Sequence, residues 1–178
     1  MQTSVITAVL VTALSAGILA QGSPKPAPAR DEDVRSIDAI VGALYDVISG
    51  PAGQKRDWDR MRGLFTPGAR LIPTASRETG AEARVRDVEA YIAGATATLE
   101  RNGFFEREIF RKTEAFGNIA HVFSTYESRR TAADASPFAR GINSIQLLKD
   151  GNRWWIVTVF WDAERPGNPL PSQYLPAK

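Results

Sequence analysis

Two tight turns in the second half of the chain constrain its fold more than any other feature. The first is Gly117-Asn118 and the second is Asp150-Gly151. Residue pairs of this kind accept positive φ angles and are typical of two-residue β-hairpin turns. Each turn lies between two long runs rich in β-branched and aromatic residues: 104–116 and 119–130 for the first, 139–149 and 153–163 for the second. The sequence therefore predicts two consecutive antiparallel hairpins, joined by a loop at 131–137.

The first half of the chain has helical periodicity instead. Apolar residues recur at helical spacing in three segments, 31–49, 54–65 and about 87–101. Between the second and third segments we predict a short strand at 69–74 and a polar loop at 76–84. Pro73 favours an edge position for that strand, because proline cannot donate a hydrogen bond to a neighbouring strand. Helices followed by a run of strands predict an α+β fold.

The ends of the chain differ in composition from its middle. Residues 1–20 are apolar and carry no charge, which predicts a signal peptide, with an uncleaved membrane anchor as the alternative. A proline-rich linker at 21–30 and a proline-rich tail at 164–178 flank the remaining residues. This organisation predicts one exported domain over residues 31–163, either periplasmic or secreted.

Composition argues against several classes of function. The chain has 22 basic and 20 acidic side chains and a net charge of +2, which is too balanced to indicate nucleic-acid binding. It has no cysteine and one histidine, so a disulfide and a thiolate metal site are excluded and a histidine metal site is disfavoured. Neither a phosphate-binding glycine loop nor a G-x-S-x-G motif is present. We expect no metal and no other cofactor.

Three local patterns carry a resemblance to a known family. They are the turn and strand FGNIAHVFSTYE (116–127), the last strand DGNRWWIVTVFWDAE (150–164) and the helical segment DWDRMRGLFTPGARL (57–71). On these residues the chain resembles the nuclear transport factor 2-like (SnoaL-like) superfamily over 31–163. The resemblance implies three helices packed on a strongly curved mixed or antiparallel sheet, which together form a cystatin-like cone with a pocket inside.

The last strand is apolar on both sides if its residues alternate regularly. One face would carry Trp154, Ile156, Thr158, Phe160 and Asp162, and the other Arg153, Trp155, Val157, Val159 and Trp161. If one face lines the pocket, the other exposes an apolar patch larger than monomers usually have. We therefore predict a homodimer through the sheet. The alternative is that the proline-rich tail covers this face within one chain.

Two residues are candidates for catalysis. His121 lies within an apolar strand, and its ordinary pKa near 6.5 suits a general base. The register expected for the first hairpin places it opposite Glu114, so a structural cross-strand pair is the alternative. Asp162 lies near the end of the last strand and would be a carboxylate at the mouth of the pocket. Its alternative is a solvated strand end paired with Arg140 or Arg165.

Five further residues are candidates for ligand binding. They are Tyr45 and Trp58 from the helices and Asn143, Gln146 and Trp161 from the strands. Core packing is the alternative for the aromatic residues, whereas a buried amide needs a hydrogen-bond partner.

Three functions stay open on the sequence alone. The first is binding of a small apolar molecule in the cone. The second is a cofactor-free isomerase, dehydratase or cyclase that uses a buried histidine or carboxylate. The third is a protein-interaction domain. Enzymes of the superfamily that the chain resembles use Asp, Tyr, His or Arg, but none of their catalytic sets matches this chain residue by residue.

Overall fold

A computed structural model describes residues 28–177. It contains four α-helices: α1 Asp31–Val34, α2 Ile37–Ile48, α3 Trp58–Leu64 and α4 Val88–Asn102. It contains six strands: β1 Phe65–Arg77, β2 Gly80–Ala83, β3 Phe105–Phe116, β4 Ile119–Arg129, β5 Ala139–Asp150 and β6 Arg153–Ala163. A short 3-10 turn follows at Ser172–Tyr174. The signal-peptide prediction for residues 1–20, and most of the predicted linker, lie outside the described residues.

The strands form one sheet in the order β2-β1-β6-β5-β4-β3. Strands β1 and β6 run parallel, and all other neighbours are antiparallel. The two predicted hairpins are confirmed as β3–β4 and β5–β6. Gly117 and Gly151 hold φ angles of 54° and 57° in their turns, which favour glycine. The molecule thus has the expected α+β architecture with a mixed sheet.

The first predicted helix is two helices. Arg35-Ser36 separates α1 from α2, and Ser36 has an extended backbone with φ of −147° and ψ of 165°. Its hydroxyl accepts a hydrogen bond from the backbone N–H of Ala39 at 3.0 Å. A serine in this position is a favourable helix N-cap, so it starts a new helix where apolar periodicity predicts a continuous one.

The prediction of an edge position for the strand at 69–74 is wrong. Strand β1 pairs with β6 through Phe65–Pro73 and with β2 through Thr74–Arg77. The predicted polar loop at 76–84 contains the end of β1 and the whole of β2. Pro73 is tolerated because it needs no acceptor, and its carbonyl accepts a hydrogen bond from Arg84 N at 3.0 Å.

The prediction that residues alternate regularly between the two faces of β6 is also wrong, because the strand contains a bulge. Ile156 pairs with Leu147 and Thr158 pairs with Gln146, which leaves Val157 without a partner. Ile156 is fully buried and Val159 is 5% exposed, so both face the helices although they are three residues apart. After the bulge, Trp161 lies on this helix-side face, whereas Phe160 and Asp162 lie on the opposite, outer face.

The hydrophobic core lies between the helices and the helix-side face of the sheet. Helix α2 contributes most of the buried helical residues: Ile40, Val41, Ala43, Leu44, Tyr45, Val47 and Ile48. They pack against buried residues of β4, β5 and β6, among them Val122, Ile145 and Ile156. No helix within residues 28–177 is long and apolar enough to cross a membrane.

The C-terminal tail covers part of the outer face. The hydroxyl of Thr125 donates to the carbonyl of Tyr174 at 2.7 Å, and the ring of Tyr174 contacts that of Phe123 with centroids 4.9 Å apart. Two apolar side chains at the β3–β4 turn stay outside this cover: Phe116 is 84% exposed and Ile119 is 61% exposed. The tail therefore accounts for only part of the apolar outer face.

Candidate functional site

A cavity of about 140 Å³ lies between the helices and the helix-side face of the sheet. Most of its wall is apolar, from Leu44, Ile48, Met61, Leu71, Phe104, Val159 and Trp161. Five polar side chains also line it: Tyr45, Tyr91, Glu106, Tyr126 and Asn143. This is the concentration of polar groups in an apolar pocket that is typical of ligand sites.

Glu106 is the ionisable carboxyl of this cavity. It follows the start of β3, and its backbone N–H donates to the hydroxyl of Ser49 at the end of α2 at 3.0 Å. Burial raises the pKa of Glu106 to about 7, although hydrogen bonds from Ser128 and Asn143 partly oppose this rise. The Ser128 hydroxyl donates to the carboxylate at 2.7 Å. Within residues 28–177 no cation forms an ion pair with Glu106. The carboxyl therefore changes its charge near neutral pH.

Tyr45 joins the helices to the sheet at the polar end of the cavity. Its hydroxyl lies 2.7 Å from the hydroxyl of Ser124 and accepts from the amide of Asn143 at 3.0 Å. Ser124 in turn donates to the carboxylate of Glu108. Burial and the charge of Glu106 raise the pKa of Tyr45, so its hydroxyl stays protonated at neutral pH.

Tyr91 and Tyr126 have free hydroxyl groups. Neither hydroxyl forms a hydrogen bond with another group of residues 28–177, whereas the third tyrosine of the cavity has two partners. Burial, followed by the charge of Glu106, raises the pKa of both residues. Tyr91 is also held edge-on to Trp161, with ring centroids 6.4 Å apart. Both hydroxyls are therefore protonated donors available to a bound molecule.

A second, wider cleft reaches the same residues from the surface. It has a volume of about 630 Å³, lies between α2 and β3, and shares Tyr45 and Glu106 with the cavity. Charged side chains form much of its wall: Asp46, Arg107, Glu108, Arg111, Arg129 and Asp134. We call it the α2–β3 cleft. A molecule in this cleft lies next to the polar end of the cavity.

Comparisons with known proteins identify the fold. Neither a protein-family model nor a curated protein matches this sequence. A protein of unknown function with a cystatin-like fold from Nostoc punctiforme is 14% identical, over 72% of this chain and 88% of the other, with a TM-score of 0.54. A nuclear transport factor 2-like protein of unknown function from Silicibacter pomeroyi is 17% identical, over 72% of this chain and 92% of the other, with a TM-score of 0.50. The fold is that of the nuclear transport factor 2-like proteins. At such identities the likeness shows the fold alone.

Three of the sequence candidates meet in the cavity of this nuclear transport factor 2-like fold. Tyr45 comes from α2, Asn143 from β5 and Trp161 from β6. The pairing of Asn143 with Trp161 in the sheet places both side chains on the helix-side face. All three therefore line the cavity next to Glu106.

The two candidates for catalysis lie elsewhere. His121 is on the outer face, opposite Glu114 as its register predicts, and its Nε2 lies 2.9 Å from the hydroxyl of Ser144. Asp162 is also on the outer face and accepts hydrogen bonds from Thr74 at 2.6 Å and Arg165 at 2.7 Å. Burial alone would raise the pKa of Asp162, but these hydrogen bonds lower it. Neither residue lines the cavity.

The remaining two candidates do not line the cavity either. Trp58 packs against the core from α3, and its Nε1 is buried without a hydrogen-bond partner in the described part of the chain. Gln146 is exposed beside His121 on the outer face. Among residues 28–177 no group of three or more acidic or histidine side chains could hold a metal ion.

Sequence reasoning missed Glu106, Tyr91 and Tyr126. The available signal was an acidic residue directly after the apolar pair Phe104-Phe105, at the start of a predicted strand. That signal alone does not distinguish Glu106 from Glu108, because both lie on the helix-side face. The distinction comes from partners: Arg111 donates to Glu108 at 2.8 Å and leaves Glu106 without a cation.

Proposed function

We propose that this protein is a cofactor-free enzyme that moves a proton on a small, mostly apolar substrate with a carbonyl oxygen. The observation that carries this proposal is Glu106, a carboxyl with a pKa of about 7 in an apolar cavity. A base with a pKa near the working pH combines a large ionised fraction with good proton affinity. This is the enzyme alternative that the sequence left open, with Glu106 in place of His121.

The other polar groups have roles that fit this chemistry. Glu106 would take a proton from the carbon next to the carbonyl group, and the electrons of that C–H bond would move onto the carbonyl oxygen. Tyr91 and Tyr126 would donate hydrogen bonds to the oxygen as its negative charge develops. In a substrate with a C=C bond beside that carbon, the product of this step is a dienolate; Glu106 would return the proton to its γ-carbon as the electrons move back from the oxygen and the C=C bond shifts into conjugation. The sequence of steps is an isomerisation and needs no cofactor.

The dimensions of the site limit the substrate. The cavity of about 140 Å³ is smaller than the roughly 300 Å³ of an ordinary pocket for a drug-sized molecule. The reacting part of the substrate is therefore small. A longer polar part would lie in the α2–β3 cleft, which shares Tyr45 and Glu106 with the cavity.

Deuterium exchange tests this proposal with a set of simple carbonyl compounds. Small ketones and enones would be incubated with the protein in D₂O, and loss of the proton signals next to the carbonyl would be followed by NMR. We expect the wild-type protein to accelerate exchange of at least one compound and Glu106→Gln to abolish this acceleration. Glu114→Gln is the matched control, because Glu114 lies on the outer face and its side chain is 68% exposed. Equal exchange in wild type and Glu106→Gln would contradict the assignment of the base.

Two expectations from the sequence belong to the same proposal. Export fits the apolar segment 1–20. A homodimer fits the part of the outer face that the tail leaves uncovered, where Phe116, Ile119 and Phe160 are exposed. Assembly through that face would leave the α2–β3 cleft open, because the cleft lies on the helix side of the sheet.

A further inference from the structure

Four side chains form a continuous line from the α2–β3 cleft to the cavity. Glu108 lies in the cleft and accepts a hydrogen bond from Ser124. Ser124 is fully buried and lies 2.7 Å from the hydroxyl of Tyr45. The amide nitrogen of Asn143 lies 3.0 Å from the same hydroxyl. Asn143 also lines the cavity together with Glu106, and its amide lowers the pKa of that carboxyl.

The hydrogen bonds along this line have one consistent direction. Arg111 donates to one carboxylate oxygen of Glu108 at 2.8 Å, and a guanidinium group can only donate, so this oxygen is an acceptor. Ser124 has a single hydroxyl hydrogen and gives it to Glu108. Its oxygen must therefore accept from Tyr45, which has then used its own hydrogen as well. Tyr45 can only accept from its other neighbour, the amide of Asn143.

This direction determines which end of the Asn143 amide faces Glu106. An asparagine amide has a donor end and an acceptor end of nearly equal shape. Because Tyr45 requires a donor, the NH₂ end of Asn143 lies next to Tyr45. Its second hydrogen is then the one that can stabilise the ionised Glu106, whose pKa the amide lowers. The opposite orientation would place the amide oxygen against the carboxylate, which destabilises the ionised form.

We propose that Glu108, Ser124 and Tyr45 are positioning residues that hold the amide N–H of Asn143 on the base Glu106. This inference rests on the proposed function of Glu106 but concerns a different property, the orientation of the group beside it. Through this line the ion pair of Glu108 with Arg111, at its surface end, would act on the cavity. The other ionisable groups around Glu106 are Tyr91 and Tyr126, and beyond Arg111 lies Asp38.

The pKa of Glu106 measures this orientation directly. It can be obtained by NMR titration of protein labelled with ¹³C at the glutamate side-chain carboxyl, with Glu106→Gln used to assign the signal. Ser124→Ala removes the acceptor of the Tyr45 hydroxyl, so Tyr45 becomes free to donate to Asn143 and the amide is released. We expect the pKa of Glu106 to rise by about one to two, the value of one hydrogen bond to a charged group. Tyr45→Phe provides a second variant with the same expected direction.

Glu108→Gln gives the sharpest test, because two effects on Glu106 have opposite signs. Removal of a nearby negative charge would lower the pKa of Glu106. In the proposed line the glutamine oxygen stays on Arg111, which can only donate, and the glutamine NH₂ faces Ser124. Every hydrogen bond along the line then reverses, Asn143 turns its oxygen to Glu106, and the pKa of Glu106 rises.

If the pKa of Glu106 rises in Glu108→Gln, and this rise disappears in the double variant that also carries Ser124→Ala, the proposed line of hydrogen bonds is established. A lower or unchanged pKa of Glu106 in Glu108→Gln would overturn the proposal. An unchanged pKa of Glu106 in both Ser124→Ala and Tyr45→Phe would overturn it as well. Ser128→Ala is the positive control, because Ser128 donates to Glu106 directly at 2.7 Å. These outcomes do not depend on deuterium exchange. A protein without exchange activity but with the expected pKa changes would refute the proposed function and leave the positioning line standing.

Discussion

Glu106 should make the protein less stable as the pH rises, and Glu106→Gln should remove this effect. The pKa of Glu106 is about 7 in the folded protein against an ordinary value of 4.5. Below pH 4.5 the carboxyl is protonated in both the folded and unfolded chains and contributes no difference. Between pH 4.5 and 7 the unfolded chain ionises first, so stability is lost as the pH rises through this window. At about 1.36 kcal/mol per pKa unit, the full loss is about 3 kcal/mol.

The assay is urea unfolding of both proteins at a series of pH values from 4 to 8, followed by tryptophan fluorescence. Groups other than Glu106 also contribute to the pH dependence of stability, so the quantity to compare is the difference in free energy of unfolding between variant and wild type. We expect this difference to move by about 3 kcal/mol in favour of Glu106→Gln between pH 4.5 and 7. Glu114→Gln should show no such change. A difference that stays constant from pH 4 to 8 would refute the argument that Glu106 is a partly buried, unpaired carboxyl.

Three further predictions concern other parts of the molecule. Gly141→Ala should destabilise the protein by about 1–3 kcal/mol in urea unfolding and displace Tyr126, because an added Cβ would lie 2.5 Å from the Tyr126 hydroxyl oxygen; unchanged stability would contradict this packing. Arg56→Met should lower the free energy of unfolding by at least about 3 kcal/mol. Arg56 is 6% exposed and donates to four backbone carbonyls, so a loss below about 1 kcal/mol would mean that these bonds contribute little. Phe116→Asp combined with Ile119→Lys should convert the expected homodimer to a monomer in sedimentation experiments; an unchanged dimer would place the interface elsewhere.

The sequence predicts the strand pairing of the second half because local residues determine it. Gly117-Asn118 and Asp150-Gly151 set the two turns, and the register of each hairpin follows from its turn. His121 accordingly faces Glu114. The parallel pairing of β1 with β6 has no such local signal. It joins segments about ninety residues apart, and it depends on which side of the finished hairpins remains free.

The two faces of β6 could not be assigned from the sequence because a bulge interrupts their alternation. Nothing in the run IVTVF indicates that Val157 lacks a partner. The register of β6 shifts at this point against both of its neighbours, β5 on one side and β1 on the other. It moves Trp161 to the face that Trp154 and Ile156 occupy, and the cavity gains its aromatic wall.

The chemistry of the site depends on a similar irregularity in β3. Ile109 bulges between Glu108 and Phe110, so Arg111 rather than Lys112 lies on the helix-side face. Arg111 then reaches Glu108 and Asp38. Regular alternation would place Phe110 on that face and leave Glu108 without this arginine. Arg107 gives Glu106 no cation either, because its guanidinium group pairs with Glu127. Because of this one extra residue in β3, Glu108 forms an ion pair at the α2–β3 cleft, whereas Glu106 remains an unpaired base in the cavity.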